Sequence, residues 1–181
     1  SHNPPNHNGF KMMLGQASFF GQAIQALGKR AAEGVADVAG GSVERKDIKE
    51  AYITRLLQDC PNIDAANQPE RKLKVAWDPG NGAAGECMER IVHRLAGEHF
   101  LINATIDGTF PAHHPDPTVP KYLEQLITLV KKGGCDLGIA FDGDGDRLGV
   151  VDAKGRILWG DQLLLIMAQD ILKKNPGAVV I

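Results

Sequence analysis

Leu137-Gly138-Ile139-Ala140-Phe141-Asp142-Gly143-Asp144-Gly145-Asp146-Arg147-Leu148-Gly149-Val150-Val151 holds two apolar runs on either side of a glycine-punctuated acidic loop. Short apolar runs of roughly 4–8 residues bounded by turn formers read as strands, so the stretch is strand, loop, strand. Asp142, Asp144 and Asp146 are all ionised at neutral pH, since an unperturbed aspartate titrates near ~3.9. If their carboxylates converge to about 5 Å, each pair repels by roughly 3 kcal/mol at an effective dielectric of about 20, or on the order of 10 kcal/mol for the trio. Such a cluster needs a cation, and oxygen-only donors suit a hard ion such as Mg2+. The intervening glycines let a tight loop turn the three inward. One Asp-Gly between strands is merely a hairpin turn, but three followed directly by Arg147 ask for more than a turn. An EF-hand calcium loop is excluded, because its sixth and twelfth positions require Gly and Glu. Counted from Asp142 these are Arg147 and Ala153, and the flanks are strands.

Outward from this loop, apolar segments alternate with helical patterns, which argues an α/β fold with a layered mixed sheet and helices. Phe10–Leu14 reads as a strand and Phe20–Arg30 as a helix with Ile24 and Leu27 three apart, followed by a Gly/Ala-rich connector from Ala31 to Ser42. A helix spans Asp47–Cys60, with Asp47 as its cap. Then come a strand Leu73–Trp77, a helix Ala83–Leu95, a strand Phe100–Ile106 and a helix Pro120–Lys132 stopped by Gly133-Gly134. Beyond the acidic loop, Arg156–Trp159 is a strand, Asp161 caps a helix running to Lys174, and Ala178–Ile181 begins another strand.

The 181 residues allow one or two domains and a real core. A net charge of −2 leaves no electrostatic footprint for nucleic acid. No apolar run approaches the roughly 18 residues of a membrane span. Cys60, Cys87 and Cys135 are odd in number and lack Cys-x-x-Cys spacing, which fits reduced thiols in a cytoplasmic protein. Two further segments carry motif weight. Gly80-Asn81-Gly82-Ala83-Ala84-Gly85 with Asp107 downstream satisfies a dinucleotide fingerprint and supplies a rival, an NAD-linked oxidoreductase. Against it, Asp78-Pro79 intrudes between strand and glycines, and the aspartates are left unexplained. His113, His114 and Asp116 could be taken for a metal cluster, but adjacent histidines differ from the i, i+4 pair of many zinc sites, and the flanking prolines favour a loop role.

Ser1-His2-Asn3-Pro4-Pro5, a polar proline-bent loop, precedes Asn8-Gly9-Phe10-Lys11. A serine beside His2, with Lys11 nearby along the chain, is a candidate activated nucleophile. Together with Asp78-Pro79-Gly80-Asn81-Gly82-Ala83-Ala84-Gly85, Phe110-Pro111-Ala112-His113-His114-Pro115-Asp116-Pro117 and the aspartate loop, these segments resemble, in the same order, the α-D-phosphohexomutase superfamily, most of all its bacterial phosphomannomutase/phosphoglucomutase branch. The resemblance implies a four-domain isomerase that interconverts hexose 1-phosphate and hexose 6-phosphate through a phosphoserine and a hexose 1,6-bisphosphate. By that resemblance Ser1 is the phosphoryl carrier and a metal ligand, and Asp142, Asp144 and Asp146 hold Mg2+. His2 and Asn3 neighbour the serine, Asn3 as a substrate contact. Lys11 assists proton transfer and binds substrate, and Arg147 contacts phosphoryl or substrate oxygens. Residues 1–46 would then be the end of domain one, 47–155 domain two and 156–181 the opening of domain three. The rest of domain three and all of domain four, with the loops that read the sugar and grip its phosphate, would be missing, leaving this fragment inactive alone. The alternatives are a phosphoglucosamine mutase, and a haloacid-dehalogenase-like phosphatase with Asp142 as nucleophile. The phosphatase pattern fits Phe141-Asp142-Gly143-Asp144 and fails at Asp146.

Overall fold

The computed structural model describes residues 6, 7, 9–60, 63, 70 and 72–180. The chain divides into two compact units, with the break between Asp47 and Ile48. In the smaller unit, strand β1 (Met12–Leu14) pairs antiparallel with β2 (Ala17–Phe19) in register Met12↔Phe19 to Leu14↔Ala17. The sequence predicts one strand here and misses the hairpin, because Ala17-Ser18-Phe19 is too short to show alternation. Gly15, at φ +62°, supplies the positive φ that such a two-residue turn demands at its first central position. Helix α1 follows at Gln22–Glu33, two to three residues later than its periodicity predicts, and buries none of its residues.

The larger unit is built on a five-stranded sheet in the order β4-β3-β5-β6-β7. Its strands are β3 (Leu73–Asp78), β4 (Gly97–Leu101), β5 (Leu137–Phe141), β6 (Leu148–Asp152) and β7 (Ile157–Leu158). β3 runs parallel to both β4 and β5, whereas β5-β6 and β6-β7 are antiparallel. The mixed character follows from the connections. A helical crossover joins the parallel strands, and the six-residue acidic loop between Phe141 and Leu148 closes β5 onto β6.

Helices cover both faces. A four-residue 3-10 turn (Pro120–Leu123) leads into α4 (Glu124–Gly133), whose Leu126 and Val130 are fully buried at i, i+4 spacing with Leu123 on the same stripe. They pack on Ala76, Ala140 and Val151 of the sheet. Gly138 permits the approach, since a Cβ there would lie 2.6 Å from Val130 Cγ2 and 2.9 Å from Leu126 Cδ1. On the opposite face α2 (Lys49–Gln58) and α3 (Gly85–Val92) bring Ile53, Leu57 and Ile91 against Leu95 and Trp77. Trp77 stacks on Phe141 at 6.4 Å between centroids and 5° between planes, and its Nε1–H donates to His99 Nδ1 at 3.1 Å. The chain ends with α5 (Gly160–Lys174), in which only Ala168 is buried.

Several expected boundaries move, each for a local reason. Asp47 does not cap α2. The cap position is Ile48, without a side-chain bond. Asp161 lies inside the first turn of α5, one residue past the helix start, while the Trp159 N–H at the cap position is accepted by Gln162 Oε1 at 2.9 Å. The strand expected over Phe100–Ile106 is β4 instead. It ends at Leu101, and by Asn103 the chain has turned to φ +51°. The helix expected over Ala83–Leu95 is the shorter α3, since residues 80–84 are held as a loop. Ala178–Val180 form no strand, and Ile181 is outside the described residues.

Candidate metal centre

The aspartate loop is pinned at both ends. The Asp142 N–H donates to the Arg147 carbonyl at 3.2 Å, extending the β5-β6 ladder by one step, and Gly145 N–H donates to the Asp142 carbonyl at 3.1 Å. Within this frame Asp142, Asp144 and Asp146 each present a carboxylate oxygen, all within 4.8 Å of one another, with Asp142 buried and the other two exposed. At that separation each pair of charges repels by roughly 3 kcal/mol at an effective dielectric near 20. Arg147 offsets part of it. Its backbone N–H donates to Asp142 Oδ1 at 3.1 Å and its Nε to Oδ2 at 2.7 Å, and Nε stands 3.8 Å from Asp146 Oδ1. Burial pushes the Asp142 carboxyl up, but the Arg147 backbone bond, side-chain bond and charge together outweigh it and hold the group below the usual carboxylate range. The three carboxylates make an oxygen-only donor set. That donor set fits a hard divalent cation such as Mg2+.

A family profile described as phosphoglucomutase/phosphomannomutase, alpha/beta/alpha domain II, matches residues 50–155, the stretch that contains this loop. The chain belongs to that family. It is 42% identical over its whole length to a phosphomannomutase/phosphoglucomutase of Pseudomonas putida, and 43% identical to a phosphoglucomutase of Neisseria meningitidis serogroup B. The chain spans 38% of the length of each of these relatives. A crystal structure of a phosphoglucomutase/phosphomannomutase family protein from Burkholderia thailandensis superposes with a TM-score of 0.85 at 42% identity, over 98% of this chain and 37% of that one.

The glycine segment of this family member turns out to be a support for the aspartate loop. Ala83 N–H donates to the Gly143 carbonyl at 2.9 Å, and a Cβ on Gly82 would sit 2.7 Å from Gly143 O and 3.1 Å from Asp142 O. A Cβ on Gly85 would overlap the Ala104 carbonyl. The glycines therefore admit the protein's own backbone, which removes the reason to read them as a dinucleotide cradle. Asp107, the acid at fingerprint distance, is occupied with the Thr109 N–H and hydroxyl.

Of the sequence-predicted site residues, the structure brings Asp142, Asp144, Asp146 and Arg147 together. Lys11 lies in the smaller unit, exposed, just before β1. Ser1, His2 and Asn3 lie outside the described residues. Among the described residues the aspartate trio is the only group of three or more His, Cys, Asp or Glu side chains arranged to hold a metal, so His113, His114 and Asp116 form no such cluster. The sequence missed the role of Asp78. It is wholly buried at the end of β3 and accepts from Gly80 N–H and Asn103 Nδ2 at Oδ1, at 2.9 and 3.0 Å. Its Oδ2 meets His113 Nε2 at 3.0 Å. The only signal was that Asp78-Pro79 sat awkwardly between strand and glycines.

Proposed function

We propose that this chain is the part of a phosphohexomutase that carries the phosphoserine and the metal, in an isomerase that interconverts hexose 1-phosphate and hexose 6-phosphate of mannose or glucose. The observation that carries the proposal is the trio of carboxylate oxygens within 4.8 Å in a chain of this family. In this reading residues 1–46 close domain one, 47–155 form domain two, and 156–181 open domain three. In the same reading, the remaining length of the relatives would hold the earlier part of domain one, the rest of domain three and all of domain four, the last two being where the sugar would be read.

The chemistry is phosphoryl transfer, governed by positioning and charge neutralisation. Phospho-Ser1 gives its phosphoryl group to the free hydroxyl of a hexose phosphate. The bond from phosphorus to Ser1 Oγ breaks, one to the sugar oxygen forms, and the hydroxyl proton passes to a base, for which Lys11 is the candidate. The resulting hexose 1,6-bisphosphate turns over and returns its other phosphoryl group to Ser1. Asp142, Asp144, Asp146 and a phosphoserine oxygen would hold Mg2+, which when bound withdraws electron density from the phosphoryl oxygens. Arg147 steadies the equatorial oxygens in flight, and His2 and Asn3 shape the serine loop and the substrate contact. Reduced thiols fit a cytoplasmic enzyme.

A phosphatase with Asp142 as nucleophile is disfavoured by geometry, because that carboxylate is wholly buried and Arg147 donates to both of its oxygens. Incubating the complete protein with radiolabelled hexose bisphosphate tests the choice. Label should lodge on Ser1 and vanish in Ser1→Ala, whereas an acyl phosphate on Asp142 would sink the mutase reading. Asp144→Asn should weaken Mg2+ uptake in calorimetry. A phosphoglucosamine mutase would show itself by turnover of glucosamine phosphate ahead of the mannose and glucose esters in coupled assays.

A further inference from the structure

Asp78, wholly buried, and His113, half-buried, form a pair that the proposed transfer does not use. His113 Nδ1 lies 3.0 Å from the His114 carbonyl and Nε2 lies 3.0 Å from Asp78 Oδ2. A carbonyl oxygen only accepts, and so does an ionised carboxylate, so each ring nitrogen must carry a proton. With the Asp78 carboxylate as acceptor, the geometry calls for an imidazolium at His113. We propose that His113 is a positioning residue for the metal loop: as an imidazolium it clamps Asp78, and Asp78 fixes the glycine turn on which the aspartate loop is seated.

Each link is a contact. Asp78 Oδ1 takes the Gly80 N–H and the amide of Asn103, and the Asn103 carbonyl takes the Asn81 N–H at 2.8 Å. The turn is hemmed on its other side, since a Cβ on Gly80 would lie 3.3 Å from His113 Cε1 and 3.1 Å from Pro115 Cβ. From the same turn, Ala83 N–H and the bare Gly82 meet the backbone of Asp142 and Gly143. The titratable groups facing His113 are Asp78 from β3, the Tyr122 ring stacked at 6.2 Å from the 3-10 turn, and His114 on its own loop. The bond from Asp78 raises the imidazole above its ordinary value, although burial opposes it. Partners that bond metal ligands directly commonly set metal affinity by about 10–100-fold, and His113, which acts through Asp78 and the glycine turn, belongs at the low end of that range.

This inference rests on the metal reading above, and the test separates the two. In the complete protein labelled with 15N-histidine, both His113 nitrogens should carry protons, with imidazolium shifts, at about pH 6.5, where an ordinary histidine is half neutral. A bare ring nitrogen there overturns the proposal. Titrating Mg2+ into the same sample should move the His113 resonances with the midpoint of the calorimetric isotherm, and static resonances during uptake overturn it too. His113→Gln keeps a donor toward Asp78 but no charge, and should bind Mg2+ about 10-fold more weakly. Coulomb's law alone predicts the opposite sign, because a cation near the site is removed. Equal or tighter binding by folded His113→Gln therefore refutes positioning. Should that variant fail to fold, the wild-type spectra still decide. If the wild type takes up no Mg2+ while Asp144→Asn behaves identically, the metal reading itself falls and carries this inference with it.

Discussion

Arg147 and Asp142 are the residues on which the acidic loop depends. Removing the guanidinium leaves a wholly buried carboxylate short of its strongest donor. A hydrogen bond to a charged group is worth about 1.5–3 kcal/mol. Nearly half of the Arg147 side chain faces water, so screening trims that figure. Arg147→Ala should thus lower the midpoint of urea unfolding at neutral pH. The sign with pH follows from linkage. The folded Asp142 carboxyl titrates below its unfolded counterpart, so its stabilisation is present above the unfolded value and is lost as pH falls through the folded one. The gap between wild type and Arg147→Ala should accordingly close below about pH 4, near the unfolded aspartate value. A gap that does not narrow at all as pH falls below about 4 would show that the guanidinium acts through packing.

At the scale of elements, the sandwich of α4 on the sheet depends on a missing side chain. Gly138→Ala would thrust a methyl group into Val130 and Leu126, and overpacking of this kind costs about 1–3 kcal/mol. Leu126→Ala, at a fully buried position, should cost about 2–5 kcal/mol through the cavity it leaves. Chemical denaturation of both variants checks whether the face tolerates emptiness better than crowding. These central elements were legible in sequence. β3, α4, β5 and β6 are each an apolar run or a stripe with clear stops, and burial of the pattern decides their place. The acidic trio was legible for a related reason, since like charges crowded so closely repel one another unless a cation joins them. Caps, turns and short pairings were not. Ala17–Phe19 becomes a strand only because β1 lies beside it, and Phe100–Ile106 loses its second half because Asn103 bends away to bond Asp78. Such outcomes are set by partners distant along the chain. For the same reason the link between His113 and Asp78, 35 residues apart, carried no mark in the sequence.

At the scale of the molecule, the chain spans 38% of the length of the relatives it matches. α5 exposes Leu164, Leu165, Ile166, Met167 and Ile171, apolar surface spread round the helix that nothing in its own unit covers. Its backbone bonds should therefore open readily in this 181-residue piece. Amide exchange along Gly160–Lys174 should be slower by at least 10-fold in the complete protein, a change of about 1.4 kcal/mol in local opening. Equal rates would mean that the helix stands alone in both. No helix among the described residues is long and apolar enough to cross a membrane. Trp77 gives the molecule one more property. Its indole is bonded to His99 and lies flat on Phe141, the residue next to the first aspartate, while the other tryptophan, Trp159, is half exposed. With Trp159→Phe in place, ultraviolet emission becomes a built-in gauge of the acidic loop, and its colour and yield should shift as the loop fills or as acid reaches the neighbouring imidazole, with no dye attached.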